Sequence, residues 1–428
     1  MFYSKIAIRS LFSKWRQYVS LFLVCSVGFG FSLFCLFLVN GMLDSLQMKA
    51  KVFYGGDFQF IGGKGRLLFD DENEFLPGIK KTFGDDVLVF SRLDYDGRNA
   101  ALYFDGQEIR QKVIKGVDFE LEKPLFSQMN FISGGIDGMN EGGGILISSA
   151  VADKTGAKIG DAVTVMLKTN SGMTNTIQLS VMGIFQDSSV FGIYTTYVYI
   201  GDLRKAYAVS GNYANRIGIY LNGKTASSDD YRSYLKNLES LFNMYGSVSD
   251  KYVFYDDLLG NKFDSEIYAL IPLSANMSEL KIVIDAMKLV SFLIVVILVI
   301  IVVVGISSTY RVIVMKRITE IGIYKAIGME RNSIYKILLT ESSALVVFGS
   351  LLGFFLYIIL AGIISQFDFS VIPSFDIFLN NGSIVPLMKS SWVLALFVFV
   401  LVTTVTAVLF SIKKAVNVTP VQALAVSE

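Results

Sequence analysis

The sequence predicts an integral membrane α-helical protein: four transmembrane helices, with a large α+β extracytoplasmic domain inserted between helices 1 and 2. Three observations carry that expectation. Four long stretches are almost wholly apolar, the lysines and arginines that flank them fall on one side, and a long polar segment with strand-like alternation separates the first stretch from the other three. The 428 residues are 53% hydrophobic but only 18% charged, against roughly 25% charged in a soluble domain.

A helix needs roughly 20 apolar residues to cross the hydrocarbon core. The first candidate, residues 18–42, runs from Tyr18 to Val39 without a charge. Its apolar core is too long for a signal peptide and no small-residue cleavage site follows, so it reads as an uncleaved anchor. The others are residues 283–308, 337–365 and 391–412. Ahead of the first span, in residues 1–17, Ile8, Leu11, Phe12 and Trp15 recur at helical spacing with Lys5, Arg9 and Arg16 elsewhere on the wheel. That pattern suits an interfacial amphipathic helix; a plain basic flank is the alternative reading.

Lysine and arginine counts set the orientation. Lys5, Arg9, Lys14 and Arg16 precede span one. Arg311, Lys316, Arg317, Lys325, Arg331 and Lys336 lie in the loop 309–336, and Lys413 and Lys414 open the tail 413–428. The short loop 366–390 has no basic residue before Lys389. Both termini are therefore expected in the cytoplasm, with residues 43–282 outside.

Segment 43–282 is long enough for one or two folded domains. Residues 163–167, 176–185 and 194–200 are rich in β-branched and aromatic residues and read as strands. Residues 227–242 turn helical, with Tyr231, Tyr234, Leu235, Leu238 and Leu241 at the right spacing. Gly134, Gly135, Gly138, Gly142, Gly143 and Gly144 crowd into a loop that is a candidate boundary between two lobes.

Composition excludes several chemistries. The chain has no histidine, which removes imidazole bases, Ser-His-Asp triads and histidine metal sites. Cys25 and Cys35 are ten residues apart in one helical stretch, about 15 Å, too far for a disulfide; each reads as a small buried apolar residue. A net charge of +1 gives no basis for nucleic-acid binding. The glycines around Lys64 fail the phosphate-loop pattern, because Gly65 stands where a hydroxyl residue is required. No catalytic, cofactor or metal site emerges.

The loop 309–336 is the most informative segment. It mixes charges with apolar residues at helical spacing: Ile318, Ile321, Tyr324, Lys325 and Gly328 define one side of a short helix. Gly328 is positioned to end it, and Asn332 or Ser333 to cap the next. An apolar stripe on such a helix either seats in a partner's groove or packs on the membrane surface. Glu341, at the start of span three, is positioned to pair with Arg311, Lys316 or Arg317, or to remain solvated. The Gly349-x-x-x-Gly353 spacing permits close helix approach, within the subunit or between subunits.

The run Lys316-Arg317-Ile318-Thr319-Glu320-Ile321-Gly322-Ile323-Tyr324-Lys325-Ala326-Ile327-Gly328 resembles the coupling-helix signature of the FtsX/MacB/Lol superfamily of ABC transporter permeases. Glu341-Ser342 with Gly349 and Gly353 resembles that family's third span, and Thr419-Pro420-Val421-Gln422-Ala423-Leu424 its C-terminal motif, although Ala425 replaces the usual arginine. Outside, residues 144–149, 158–161 and 181–185 resemble the periplasmic core domain of the family. The resemblance implies a non-catalytic permease subunit in a bacterial inner membrane. ATP and magnesium would belong to a separate cytoplasmic ABC ATPase, and a second permease, identical or paralogous, would complete the pair. The residues implied for ATPase coupling are Lys316, Arg317, Glu320, Ile321, Gly322, Tyr324, Lys325, Ala326 and Gly328. Movement would pass to the outside domain, which would meet cargo such as a lipoprotein, or a periplasmic adaptor.

Within that superfamily, the outside domain is too large for the cell-division type, and the chain starts too close to span one for a fused ATPase. The turn Val39-Asn40-Gly41-Met42 resembles the lipoprotein-releasing permeases, so lipoprotein release is the favoured role. A MacB-like efflux permease for a peptide, drug or other amphiphile is the alternative. A receptor or scaffold without an ATPase, and a membrane enzyme, are the readings from other classes.

Overall fold

The protein is seen here as a computed structural model that describes residue 13 and residues 15–187, 189–209, 211–370, 372 and 375–416. The interfacial helix expected over 1–17 and the motif at 419–424 therefore lie largely or wholly outside the described residues. The chain divides into two compact units: one formed by residues 1–42, 285–367 and 384–428, the other by residues 43–284 and 368–383.

Four helices among the described residues are long and apolar enough to cross a membrane. They are Trp15–Tyr54, Lys281–Lys316, Arg331–Ile364 and Ser390–Val416, longer at most ends than the apolar stretches themselves. In the first unit each contributes one buried stripe at helical spacing. Tyr18, Leu21, Cys25, Phe29, Leu33 and Phe37 from the first helix pack among Val295, Val299, Val302, Ile306 and Tyr310 from the second. Leu345 and Val346 from the third and Val400, Val408 and Ile412 from the fourth complete the cluster. The remaining faces are as apolar but exposed, as at Phe292, Ile301, Leu352 and Phe410. A helix apolar on all sides with one stripe buried in protein suits hydrocarbon on the others. Cys25 is buried, as a small apolar residue should be; Cys35 is only partly so.

Among the described residues the second unit has twelve strands: β1 (Phe58–Gly63), β2 (Leu88–Asp96), β3 (Ala101–Phe104), β4 (Gln107–Arg110), β5 (Val113–Val117), β6 (Phe131–Gly134), β7 (Gly144–Ser148), β8 (Ala162–Lys168), β9 (Thr174–Phe185), β10 (Thr195–Tyr199), β11 (Arg216–Tyr220) and β12 (Ile267–Pro272). They hydrogen-bond in the order β12-β1-β11-β2-β5-β10-β7-β9-β8-β3-β4, with β6 paired to β9 off that path. Most neighbours are antiparallel; β10 with β5 and β7 with β9 are parallel. The alternation in β8 buries Val163, Val165 and Leu167 and leaves Ala162 and Lys168 exposed, as period-two geometry requires. Helices Ser149–Thr155 and Ile200–Tyr207 add Val151, Ala152 and Leu203 to that core. Helices Leu76–Phe83 and Ser228–Glu239 close a second core with Ile79, Leu235 and Leu238.

One sequence expectation changes here. The glycine-rich stretch 134–144 does not separate two lobes: β5 before it and β10 after it are hydrogen-bonded neighbours in parallel register. Residues 368–383, part of the short loop expected between spans three and four, group with the second unit. Lys49 shows why, donating to the Asp376 carbonyl at 2.5 Å and lying 3.2 Å from its carboxylate.

The last turn of helix Trp15–Tyr54 is held by a buried ion pair. The final carbonyls of a helix lack intrahelical partners and carry partial negative charge. Arg92 on β2 supplies the missing donors, its Nη1 lying 2.8 Å from the Val52 carbonyl and 3.1 Å from that of Phe53. Its other nitrogens bond the Glu122 carboxylate, Nε at 3.1 and 2.9 Å and Nη2 to Oε2. Arg92 and Glu122 are both fully buried. Removing one partner of such a pair costs about 3–5 kcal/mol. Arg92→Met is therefore expected to lower the thermal midpoint of the purified protein sharply, while Arg92→Met with Glu122→Leu recovers part of the loss. Equal midpoints for the two variants would show that the pair itself contributes nothing.

Lys115 on β5 is buried, 2.7 Å from Asp94 on β2. Burial pushes its ammonium down to about 8, against partial support from Asp94. From about pH 8 to the ordinary lysine value near 10.4 the folded chain then holds fewer protons at this residue than the unfolded chain. Its contribution to stability rises with pH across that window. Denaturant midpoints measured over the window should rise for the parent relative to Lys115→Met; parallel curves would refute the assignment.

Candidate partner-docking segment and its buried anchor

The helix of span two ends at Lys316, and Arg317, at φ −105° and ψ 17°, breaks it before the short helix Ile318–Ala326. Gly328 then takes φ +88°, a left-handed conformation that only glycine adopts cheaply. Its N–H bonds the Lys325 carbonyl at 3.0 Å and that of Met329 bonds Tyr324 at 2.9 Å, so the terminal carbonyls are satisfied as at a glycine-ended helix. Helix Arg331–Ile364 follows at once. Its N-cap is Glu330, without a side-chain cap bond, in place of the expected Asn332 or Ser333.

Arg317 is buried and faces inward. Its Nη1 lies 2.9 and 3.0 Å from the two oxygens of Glu341 in span three and 3.0 Å from the Tyr18 hydroxyl in span one. Its Nε bonds Glu320 of the short helix at 2.9 Å. Glu341 is 0% exposed. Tyr18 donates to its Oε1 at 2.9 Å. The Tyr310 hydroxyl of span two lies 3.0 Å from Oε2 and 2.8 Å from the Leu338 carbonyl, its single proton serving either acceptor. One carboxylate thus joins three spans and the root of the short helix. Among the three partners open from sequence, Arg317 is the one the structure places against Glu341.

The residues expected to couple to an ATPase divide into two groups. Arg317, Ile321 and Gly322 are buried, and Glu320, Tyr324 and Lys325 are half-buried. The side expected to seat in a partner therefore faces this chain's own core, where Ile321 and Tyr324 pack. Lys316, Ala326 and Gly328 are exposed, together with Ile323 at 52% and Ile327 at 73%. Those two isoleucines, not singled out in sequence, form the outward apolar face. Burial and the neighbouring Arg331 push the Lys325 ammonium below its ordinary value.

Gly349 and Gly353 face span one. A Cβ on Gly349 would lie 2.7 Å from Cys25 Cβ; on Gly353, 2.6 Å from the Ser26 carbonyl oxygen. A Cβ on Gly30 would in turn meet the Gly353 carbonyl at 2.7 Å. The pair serves packing inside the subunit. Tyr18 and Tyr310 were missed by the sequence reading; the available signal was a phenol, a polar group needing a partner, inside an otherwise apolar stripe.

Glu341→Leu leaves the Arg317 guanidinium buried without its carboxylate, at a cost of about 3–5 kcal/mol. Tyr18→Phe removes the hydroxyl's bonds with Glu341 and Arg317, each worth about 0.6 kcal/mol on average between membrane helices, and leaves the ion pair in place. Thermal midpoints in detergent are expected to fall far more for Glu341→Leu than for Tyr18→Phe. A small and equal effect of both would mean that the carboxylate is not held as an ion.

Residues 292–420 match the family described as FtsX-like permease C-terminal. Among solved structures, the periplasmic region of MacB from Actinobacillus actinomycetemcomitans is similar at 10% identity over 54% of this chain and 95% of that chain, with a TM-score of 0.31. No curated protein matches the chain. The family match covers most of the second span, the short helix with its anchor, and the third and fourth spans, and over those residues the chain is similar to FtsX-like permeases.

Proposed function

We propose that this chain is the membrane subunit of an ABC-type machine and that its short helix Ile318–Ala326 is the contact through which a separate cytoplasmic ATPase moves it. The single observation that supports this reading is a helix with Ile323 and Ile327 turned outward whose root is fixed by the buried Arg317–Glu341 pair. An exposed apolar face on a rigidly rooted helix is suited to a groove on a partner, and a rigid root passes force where a loose loop would absorb it. The lysine and arginine bias supports a cytoplasmic position for this segment, in what we read as a bacterial inner-membrane protein.

In this reading ATP and magnesium are bound by the partner, and two permease subunits, identical or paralogous, act together. The first-span helix extends through Tyr54, where Arg92 fastens its end; that continuity is suited to transmitting movement to the strand-rich domain. Release of lipoproteins for transfer outward is the favoured role, on the resemblance at Val39-Asn40-Gly41-Met42 and the length of the outside segment.

The test is affinity purification from the native membrane in mild detergent, with mass spectrometry of the co-purifying proteins. Recovery of a soluble ATPase with lipid-modified proteins supports the proposal in full. An ATPase with a periplasmic adaptor and no lipoproteins moves the cargo to efflux, and no ATPase overturns the proposal. In the first two cases Ile323→Asp with Ile327→Asp should reduce ATPase recovery at least ten-fold with an unchanged thermal midpoint, because both side chains are exposed.

A further inference from the structure

Three lysines and an arginine gather around two adjacent rings inside the strand-rich unit. Phe53 and Tyr54 have their centroids 4.9 Å apart. Lys112 and Lys115 stand over Phe53, 5.5 and 4.1 Å from its centroid, and Lys251 stands over Tyr54 at 5.0 Å. Arg216 joins them through Asp94, whose carboxylate lies 3.8 Å from its Nε and 2.7 Å from the Lys115 ammonium. Among the described residues one other carboxylate is in ion-pair contact with these four, that of Glu279, 3.3 Å from Lys251. Lys112 donates to the Val190 carbonyl at 2.5 Å. Four positive charges thus meet two negative ones.

The excess sits where it is costly. Lys251 and Lys115 are buried, Arg216 is half-buried, and Lys112 opens to solvent. Ring faces offset part of the cost of burying an ammonium, but they carry no net charge, and a cation beside another cation is disfavoured. Burial pushes the Lys251 ammonium below its ordinary value; Glu279 opposes this, while Arg216 and Lys112 add to it. Burial also pushes Lys112 down, with Glu279 and Asp187 opposing from beyond ion-pair distance. Asn276 supplies a second, independent observation. It is 1% exposed and its backbone carbonyl accepts from Lys251 Nζ at 3.0 Å. Neither its Nδ2 nor its Oδ1 has a hydrogen-bond partner among the described residues. A buried amide with both polar atoms unpaired calls for a bound group.

The charge balance selects an anion, and the excess of two selects a doubly charged one. Guanidinium, ammonium and amide N–H groups together suit the oxygens of a phosphate. A phosphate oxygen accepts from Asn276 Nδ2, and one that carries a proton donates to Oδ1. We infer that Lys112, Arg216, Lys251 and Asn276 form a binding site for a phosphate group, free or as a monoester. Lys115 and Asp94 stand behind it and set the local field. The inference is independent of the ATPase reading, since nothing in the cluster involves the short helix.

The test is calorimetric titration of the full-length protein in non-ionic detergent with inorganic phosphate, methyl phosphate and acetate, at constant ionic strength. At about pH 7.5 both phosphates are largely doubly charged. Saturable binding of the phosphates is expected, at least ten-fold tighter than that of acetate, and at least ten-fold weaker in Arg216→Gln. Lys112→Gln, on an exposed side chain, should weaken it several-fold with an unchanged thermal midpoint in phosphate-free buffer. That variant keeps the test valid if Arg216→Gln fails to fold. Glu279→Gln removes an exposed competing carboxylate and should tighten binding several-fold, a change that loss of structure would not produce. Absence of saturable phosphate binding, equal binding of acetate, or unchanged affinity in Lys112→Gln and Glu279→Gln would overturn the inference. Tighter binding of methyl phosphate than of inorganic phosphate identifies a monoester as occupant, and the reverse order identifies the free ion.

Discussion

The membrane unit depends on how a carboxylate survives among apolar helices. An isolated ion taken from water into such surroundings costs several kcal/mol even after relaxation. Glu341, with no exposure at all, meets that cost through a guanidinium and two phenols that converge on its two oxygens. Each donor comes from a different element, so satisfying the charge fixes their mutual register. Arg317 is also the residue at which the helix of span two stops. The electrostatic requirement of one side chain thereby fixes the point and direction at which the short helix leaves the spans.

The strand-rich unit uses the same chemistry for a different end. At Arg92 the guanidinium reaches a buried carboxylate and two helix-terminal carbonyls together. A lysine has one compact charge and no planar fork, and would satisfy one set or the other. In both units an arginine stands where several acceptors from different elements must be met by one group. Neither pair is a large net source of stability, since desolvation opposes attraction; each makes alternative arrangements costly.

Composition and periodicity made the spans legible, because the bilayer demands long apolar helices and tolerates little else. Strands at 163–167, 176–185 and 194–200 were legible from their β-branched and aromatic residues. The function of the glycine-rich stretch was not, because it depends on which strands pair across it, and pairing is a long-range property. The site was half legible. The segment 316–328 stood out as a charged helix between apolar spans, but its periodicity gave a face without saying whether the face turned inward. Ile321 and Tyr324 turned in and Ile323 and Ile327 turned out, because Arg317 roots the helix by a bond to a residue 24 positions away.

Small residues in the membrane unit settle a further point. Close helix approach through glycine is the usual means by which apolar helices associate without a hydrophobic driving force. Here those positions are occupied within one subunit: Gly30 meets Gly353, Gly349 meets Cys25, and Gly28 lies against Val302. Substituents there would strike backbone or the buried ends of side chains, so these surfaces are closed to a second subunit. The exposed faces carry Phe292, Ile301, Leu352 and Phe410 instead. Those are large, unbranched or branched apolar groups suited equally to lipid, and contacts of that kind separate more readily than a glycine seam.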